Sequence, residues 1–151
     1  MLIRRFLAFI AFFILTTVSS KGHPVKPDER ICGRWENLEK TLRIQVSMEG
    51  SEFTAKIIWF SETGGKPMDY WTDRHNPDPK LQSRKILGLS ILRDLEYQPG
   101  TDSWENGVIY DSKHGKEWNS AAYIDKKGEL KVKGYWHFKF IGKTMTFVRV
   151  R

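Results

Sequence analysis

The chain has 151 residues, 25 basic against 18 acidic side chains, six tryptophans and one cysteine. That length suits one domain able to bury a core without staples. A single cysteine, Cys32, excludes an intrachain disulfide, and it is expected to pack as a small apolar residue.

Residues 1–20 read as a secretory signal peptide. Arg4 and Arg5 precede an apolar run from Phe6 to Val18, and the small residues Ser19 and Ser20 follow. The run of 13 residues falls short of the ~20 that a membrane-spanning helix needs. The mature chain is therefore expected in the periplasm or secreted, with no transmembrane span. Cys32 lies 14 residues beyond Val18, too far from the cleavage site to carry a lipoprotein anchor.

Residues 21–30 are expected to be a flexible leader. If cleavage follows Ser20, the chain begins Lys21-Gly22-His23. A free amine, two amides and the His23 imidazole form a square-planar nitrogen set suited to Cu(II) or Ni(II). Cleavage one residue earlier would destroy that set, and a third-position histidine also arises by chance.

The domain proper spans 31–151 and alternates with period 2. Gly33-Arg34-Trp35 opens the first expected strand. Leu42, Ile44, Val46 and Met48 alternate with polar residues, turn at Glu49-Gly50-Ser51, and continue as Phe53, Ala55, Ile57 and Trp59. That pair is a predicted hairpin. Further strands are expected over 86–92, 104–110, 117–124, 130–136 and 144–150, separated by turns at 98–102, 111–116 and 125–128. Asn106-Gly107 marks a bulge in the strand from Trp104 to Tyr110. Short strands with close turns predict an antiparallel sandwich or barrel. Residues 61–85 hold three prolines and two glycines without alternation, and form a long loop. Within it, Asp78 and Pro79 are placed to start one helical turn.

In a closed barrel the first and last strands are neighbours. Arg149 is then expected over the Trp35 indole, with Gly33 beside it, as a structural closure. This arrangement is similar to that of lipocalin-like barrels. Nearly all of the mature chain also resembles a bacterial exported family, domain-of-unknown-function family 2147. The resemblance is carried by Gly33-Arg34-Trp35, Ile57-Ile58-Trp59, Asp73, Asn76-Pro77-Asp78, Arg84 to Leu89, Trp104 to Asp111, Gly115-Lys116, Leu130 to Tyr135, and Arg149-Val150. Ser112 stands where the family usually has proline, Trp118 where it has tyrosine, and a tryptophan is common near Phe147. The resemblance implies a single antiparallel lipocalin-like β-barrel and supplies no catalytic residues.

No nucleophile elbow, zinc-protease signature, C-x-x-C or phosphate loop is present, so an enzyme is not expected and no cofactor is called for. Asp69, Asp73, His75 and Asp78, with Asp111 and His114, have metal-ligand chemistry but no recognised spacing. Asp and Asn before proline more often build turns by bonding their own backbone. Trp59, Trp71, Trp104, Trp118 and Trp136 either line an apolar cavity or fill the core. Trp59, Trp71 and Tyr110 are the candidate contacts for a small apolar ligand. Residues 21–125 carry a net charge of −2 and residues 126–151 one of +7. Lys131, Lys133, Lys139 and Lys143 thus form a candidate face for an anionic envelope surface, export making nucleic acid an unsuited partner. The alternative function is an envelope interaction protein with a filled barrel.

Overall fold

A computed structural model describes residues 26–151; the signal-peptide segment and His23 lie outside the described residues. Eight antiparallel strands close into a barrel in chain order. They are β1 (Gly33–Asn37), β2 (Leu42–Glu49), β3 (Glu52–Phe60), β4 (Ser90–Gln98), β5 (Ser103–Asp111), β6 (Lys116–Ile124), β7 (Leu130–Tyr135) and β8 (Gly142–Val150). Closure is made by β1 pairing with β8, with Trp35 opposite Arg149. This removes both sheet edges.

Period-2 alternation decides what lies inside. Trp35, Ile44, Val46, Phe53, Leu92, Leu95, Trp104, Leu130, Val132 and Phe147 are all at most 2% exposed. Trp104 packs edge-on against Phe53, ring centroids 6.2 Å apart, and tilts against Tyr97 at 5.3 Å. An eight-stranded barrel is just wide enough to be filled by side chains. Here two tryptophans and two phenylalanines are among the side chains that fill it.

The fourth strand begins later than the apolar run at 86–92 suggests. Gly88 has φ +84°, and Leu89 N–H donates to the Ile86 carbonyl at 3.0–3.1 Å, so Ile86–Leu89 is a turn. The ladder starts at Ser90 and then passes a left-handed residue, Asp94 (φ 62°), which breaks alternation. The expected bulge is present: Asn106 has φ 62° and the β5–β6 register shifts between Trp104 and Gly107. At Gly107 a Cβ would lie 2.5 Å from Leu95 Cδ2, so the position has no room for a side chain.

The leader also ends earlier than expected. Asp28–Ile31 form a short 3₁₀ turn that packs on the barrel, with Ile31 fully buried. Cys32, next to it, is half-buried, and burial raises its thiol pKa.

Candidate functional site

The two ends of the barrel differ. At one end, the 3₁₀ turn lies across the opening and its carbonyls are taken by side chains from the barrel. Trp35 Nε1 donates to Ile31 O at 2.8 Å and Trp104 Nε1 to Asp28 O at 3.1 Å. Arg149 donates through Nη1 to Cys32 O at 2.7 Å and through Nη2 to Arg30 O at 2.5 Å. Its guanidinium carbon stands 4.2 Å from the Trp35 ring centroid. A Cβ at Gly33 would lie 2.3 Å from Arg149 Nη1, and the residue has φ +133°. That explains the glycine of the Gly-x-Trp motif. The expected closure residues Gly33, Trp35 and Arg149 therefore come together, and they seal this end.

The opposite end carries the connections 38–41, 61–89, 112–115 and 136–141. The long loop is fastened there by a buried carboxylate. Asp73, fully buried, accepts from Tyr110 Oη at 2.7 Å, Asn76 Nδ2 at 2.8 Å and Arg84 Nε at 2.8 Å. Asn76 Nδ2 also donates to Tyr110 Oη at 3.0 Å, and Arg84 lies 5.3 Å over the Tyr110 ring. A bridge between Thr72 and Lys85 closes the base of the excursion. Burial, then the hydrogen bond to Asp73, pushes the Tyr110 hydroxyl above its usual pKa. Gly115 completes the dock, since a Cβ there would lie 1.9 Å from His75 O. The Asp73 carboxylate is saturated by donors, so its chemistry is that of a lock.

Tyr110 is thus held in this lock, 8% exposed. Trp59 and Trp71 are half-buried, each beneath an arginine: Arg43 at 4.9 Å and Arg74 at 5.6 Å. Trp71 Nε1 further donates to Thr63 O at 3.1 Å. The three expected ligand contacts serve to fix the long loop and the barrel wall. The candidate metal residues have other work as well. Asp78 caps the 3₁₀ turn Pro79–Leu81 by accepting from Lys80 N–H at 2.9 Å, as its place before Pro79 implied. Asp111 holds His114 Nδ1 at 2.6 Å and Lys113 N–H at 3.0 Å. Among the described residues no group of three or more His, Cys, Asp or Glu is placed to hold a metal ion.

The concave surface lies elsewhere. Trp118 on β6 and Trp136 just after β7 meet edge to face, centroids 5.5 Å apart. With Lys116 and Glu117 they line an open depression of about 530 Å³. A neighbouring one of about 350 Å³ adds Val108, Asn119 and His137. Asn119 Nδ2 fixes the wall by donating to Trp136 O at 2.7 Å. Gly134 lies close behind Trp118: a Cβ there would stand 3.2 Å from Ile109 Cγ2 and 3.8 Å from Trp118 Cβ. Sequence reasoning placed Trp118 and Trp136 among five tryptophans without distinguishing them. The available signal was the run Trp136-His137-Phe138-Lys139-Phe140-Ile141, apolar where a hairpin connection is ordinarily polar.

The basic face expected along the last strands is divided. Lys131 is bound to Glu129 at 2.7 Å and to Asp125 at 3.4 Å, at the sealed end, and its ammonium is only 19% exposed. Lys139 is paired with Glu105. Lys133 and Lys143 remain on the half of the barrel near the loops. The net charge in sequence thus does not translate into one uniform surface, because turn carboxylates at 125–129 neutralise its first part.

The fold is similar to that of HP1028 from Helicobacter pylori, a solved structure described as belonging to the lipocalin family. The TM-score is 0.68, with 24% identity over 85% of each chain. Among curated proteins, none matches this chain. The model of a family described as an uncharacterized protein conserved in bacteria, DUF2147, matches residues 33–149, a span that starts at Gly33 and stops at Arg149, the two ends of the closure, and the chain belongs to that family.

Proposed function

We propose that the protein is an exported, non-enzymatic binding module that holds a small apolar ligand in the Trp118–Trp136 depression. One observation carries this reading. The barrel interior is packed with Trp35, Phe53, Trp104 and Phe147, while an open, mostly apolar depression on the rim is walled by two indoles. Ligand sites are concave and mostly apolar, with a few polar groups that fix orientation. Lys116 and His137 supply such groups here. The site is a rim site, outside the packed lumen. Export rests on the basic, apolar and small-residue segments of residues 1–20.

The test uses laurate as an apolar probe. Titration of the mature protein, followed by tryptophan fluorescence, is expected to saturate at one equivalent. Trp118→Ala is expected to weaken binding about tenfold, or roughly 1.4 kcal/mol. Unchanged affinity in that variant, with the fold intact, defeats the reading. N-terminal mass spectrometry of protein recovered from the periplasm tests export; an unprocessed Met1 terminus contradicts it.

The packed lumen also favours a second reading, an envelope interaction protein that uses its surface. It differs in expecting no stoichiometric laurate binding.

A further inference from the structure

Exposed apolar side chains are not spread evenly over this molecule. Among the described residues nine large hydrophobic side chains are exposed, and seven of them fall in the connections at the loop-bearing end: Leu38, Tyr70, Leu81, Trp136, Phe138, Phe140 and Ile141. The last four belong to the β7–β8 hairpin, where Phe138 and Phe140 are 59% and 79% exposed. Their rings stack on one another, centroids 5.4 Å apart and planes 22° apart, without covering by the rest of the chain. Clustered exposure of this kind marks an interaction or membrane site, whereas scattered exposure does not.

Charge follows the same division. Connections 38–41, 61–89, 112–115 and 136–141 hold eight basic and five acidic residues. At the sealed end, residues 26–32, 50–51, 99–102, 125–129 and 151 hold five of each. So the apolar end is also the cationic end. Lysines bordering an aromatic cluster keep their ammonium groups in the headgroup layer while their stems and the rings enter the acyl boundary.

We infer that the loop-bearing end docks on an anionic phospholipid bilayer, with the β7–β8 hairpin as its wedge. Phe138, Phe140 and Ile141 enter the interface. Trp136 sits at headgroup depth, where indoles are favoured. Lys143 and the loop lysines meet the anionic headgroups, an attraction that salt screens. Lys139 is held back on the barrel wall by Glu105. Trp136 is common to this surface and the ligand depression, but Phe138 and Phe140 do not line the depression and Trp118 is not part of the wedge, so variants at these residues tell the two apart.

The experiment is co-sedimentation of the mature protein with vesicles of phosphatidylglycerol and phosphatidylcholine, beside vesicles of phosphatidylcholine alone. The expected result is binding to the anionic vesicles, reduced at least fivefold between 50 and 500 mM salt on the order expected from screening. F138S/F140S is expected to lower partitioning at least tenfold with unchanged circular dichroism, since both rings are exposed. K126E/K127E, which lowers the net charge by about four at the sealed end, is expected to change it less than twofold. Trp118→Ala is expected to weaken laurate binding about tenfold and keep vesicle binding. Equal loss in K126E/K127E and F138S/F140S would show that binding is not confined to the loop-bearing end and overturn the inference. So would retention of vesicle binding in F138S/F140S, or a dimer in solution that this variant dissociates, which would make the hairpin a contact between two copies.

Discussion

Replacing Arg149 with Ala removes three contacts at once. The guanidinium lies 4.2 Å from the Trp35 centroid and donates to Cys32 O and Arg30 O at 2.7 and 2.5 Å. At an exposed site the cation–π part is about 0.5–1 kcal/mol. Each hydrogen bond adds about 0.5–1 kcal/mol net, at the lower end because water can replace the donor. The sum is about 2 kcal/mol. Trp35→Leu costs somewhat less than the ~3–5 kcal/mol of a full tryptophan truncation, and it also strips Ile31 O of its indole donor. Since the two side chains share the ring contact, the double variant should cost about 1 kcal/mol less than the sum of the singles. Urea unfolding followed by far-ultraviolet circular dichroism measures all four corners of the cycle. Costs that add to within ~0.3 kcal/mol would refute the closure argument. An Arg149→Lys variant should recover little, because a point charge cannot serve the ring and two carbonyls together.

Three further outcomes follow from the loop lock. Asp73→Asn removes the charge and one of the two oxygens that accept from Tyr110 and Arg84, and is expected to cost about 3 kcal/mol, with faster amide exchange confined to residues 61–89; uniform exchange across the barrel would contradict it. The Tyr110 hydroxyl titrates above its unfolded value of about 10, so its share of stability is complete below pH ~10 and is lost as pH rises through the higher folded value. Wild type should therefore lose stability faster than Tyr110→Phe above pH ~10, and parallel curves would remove the lock from the account. Gly115→Ala places a Cβ 1.9 Å from His75 O and is expected to loosen the loop while sparing the sealed end, read as increased proteolysis within 61–85 at unchanged Arg149 coupling.

The barrel and its closure were legible because both depend on short-range pattern. Alternation along Leu42–Met48 and Phe53–Trp59 selects one face, and closure makes Gly33, Trp35 and Arg149 neighbours once the strands are in order. The start of β4 was hidden because Gly88 and Asp94 take left-handed conformations that interrupt the period. The candidate site was harder. Trp59, Trp118 and Trp136 stand near strand ends and Trp71 in the long loop, and only tertiary contacts show which of them line a depression. Arg43 covers Trp59 and Arg74 covers Trp71, while Asn119 ties the Trp136 backbone beside Trp118. Tyr110 read as a ligand contact because its partner Asp73 is 37 residues away, beyond any local signal. The division of the basic face came from turn carboxylates, Asp125 and Glu129, whose proximity to Lys131 depends on the β6–β7 turn.

The central claim is that ligand is taken at the rim and the lumen stays packed. Six tryptophans supply six indole N–H resonances, and titrating laurate into ¹⁵N-labelled mature protein reads all of them in one series of spectra. The account predicts that the Trp118 and Trp136 indole signals move together and saturably while those of Trp35 and Trp104, hydrogen-bonded to Ile31 O and Asp28 O, stay in place. Movement of the Trp35 and Trp104 signals, or of none, would contradict it.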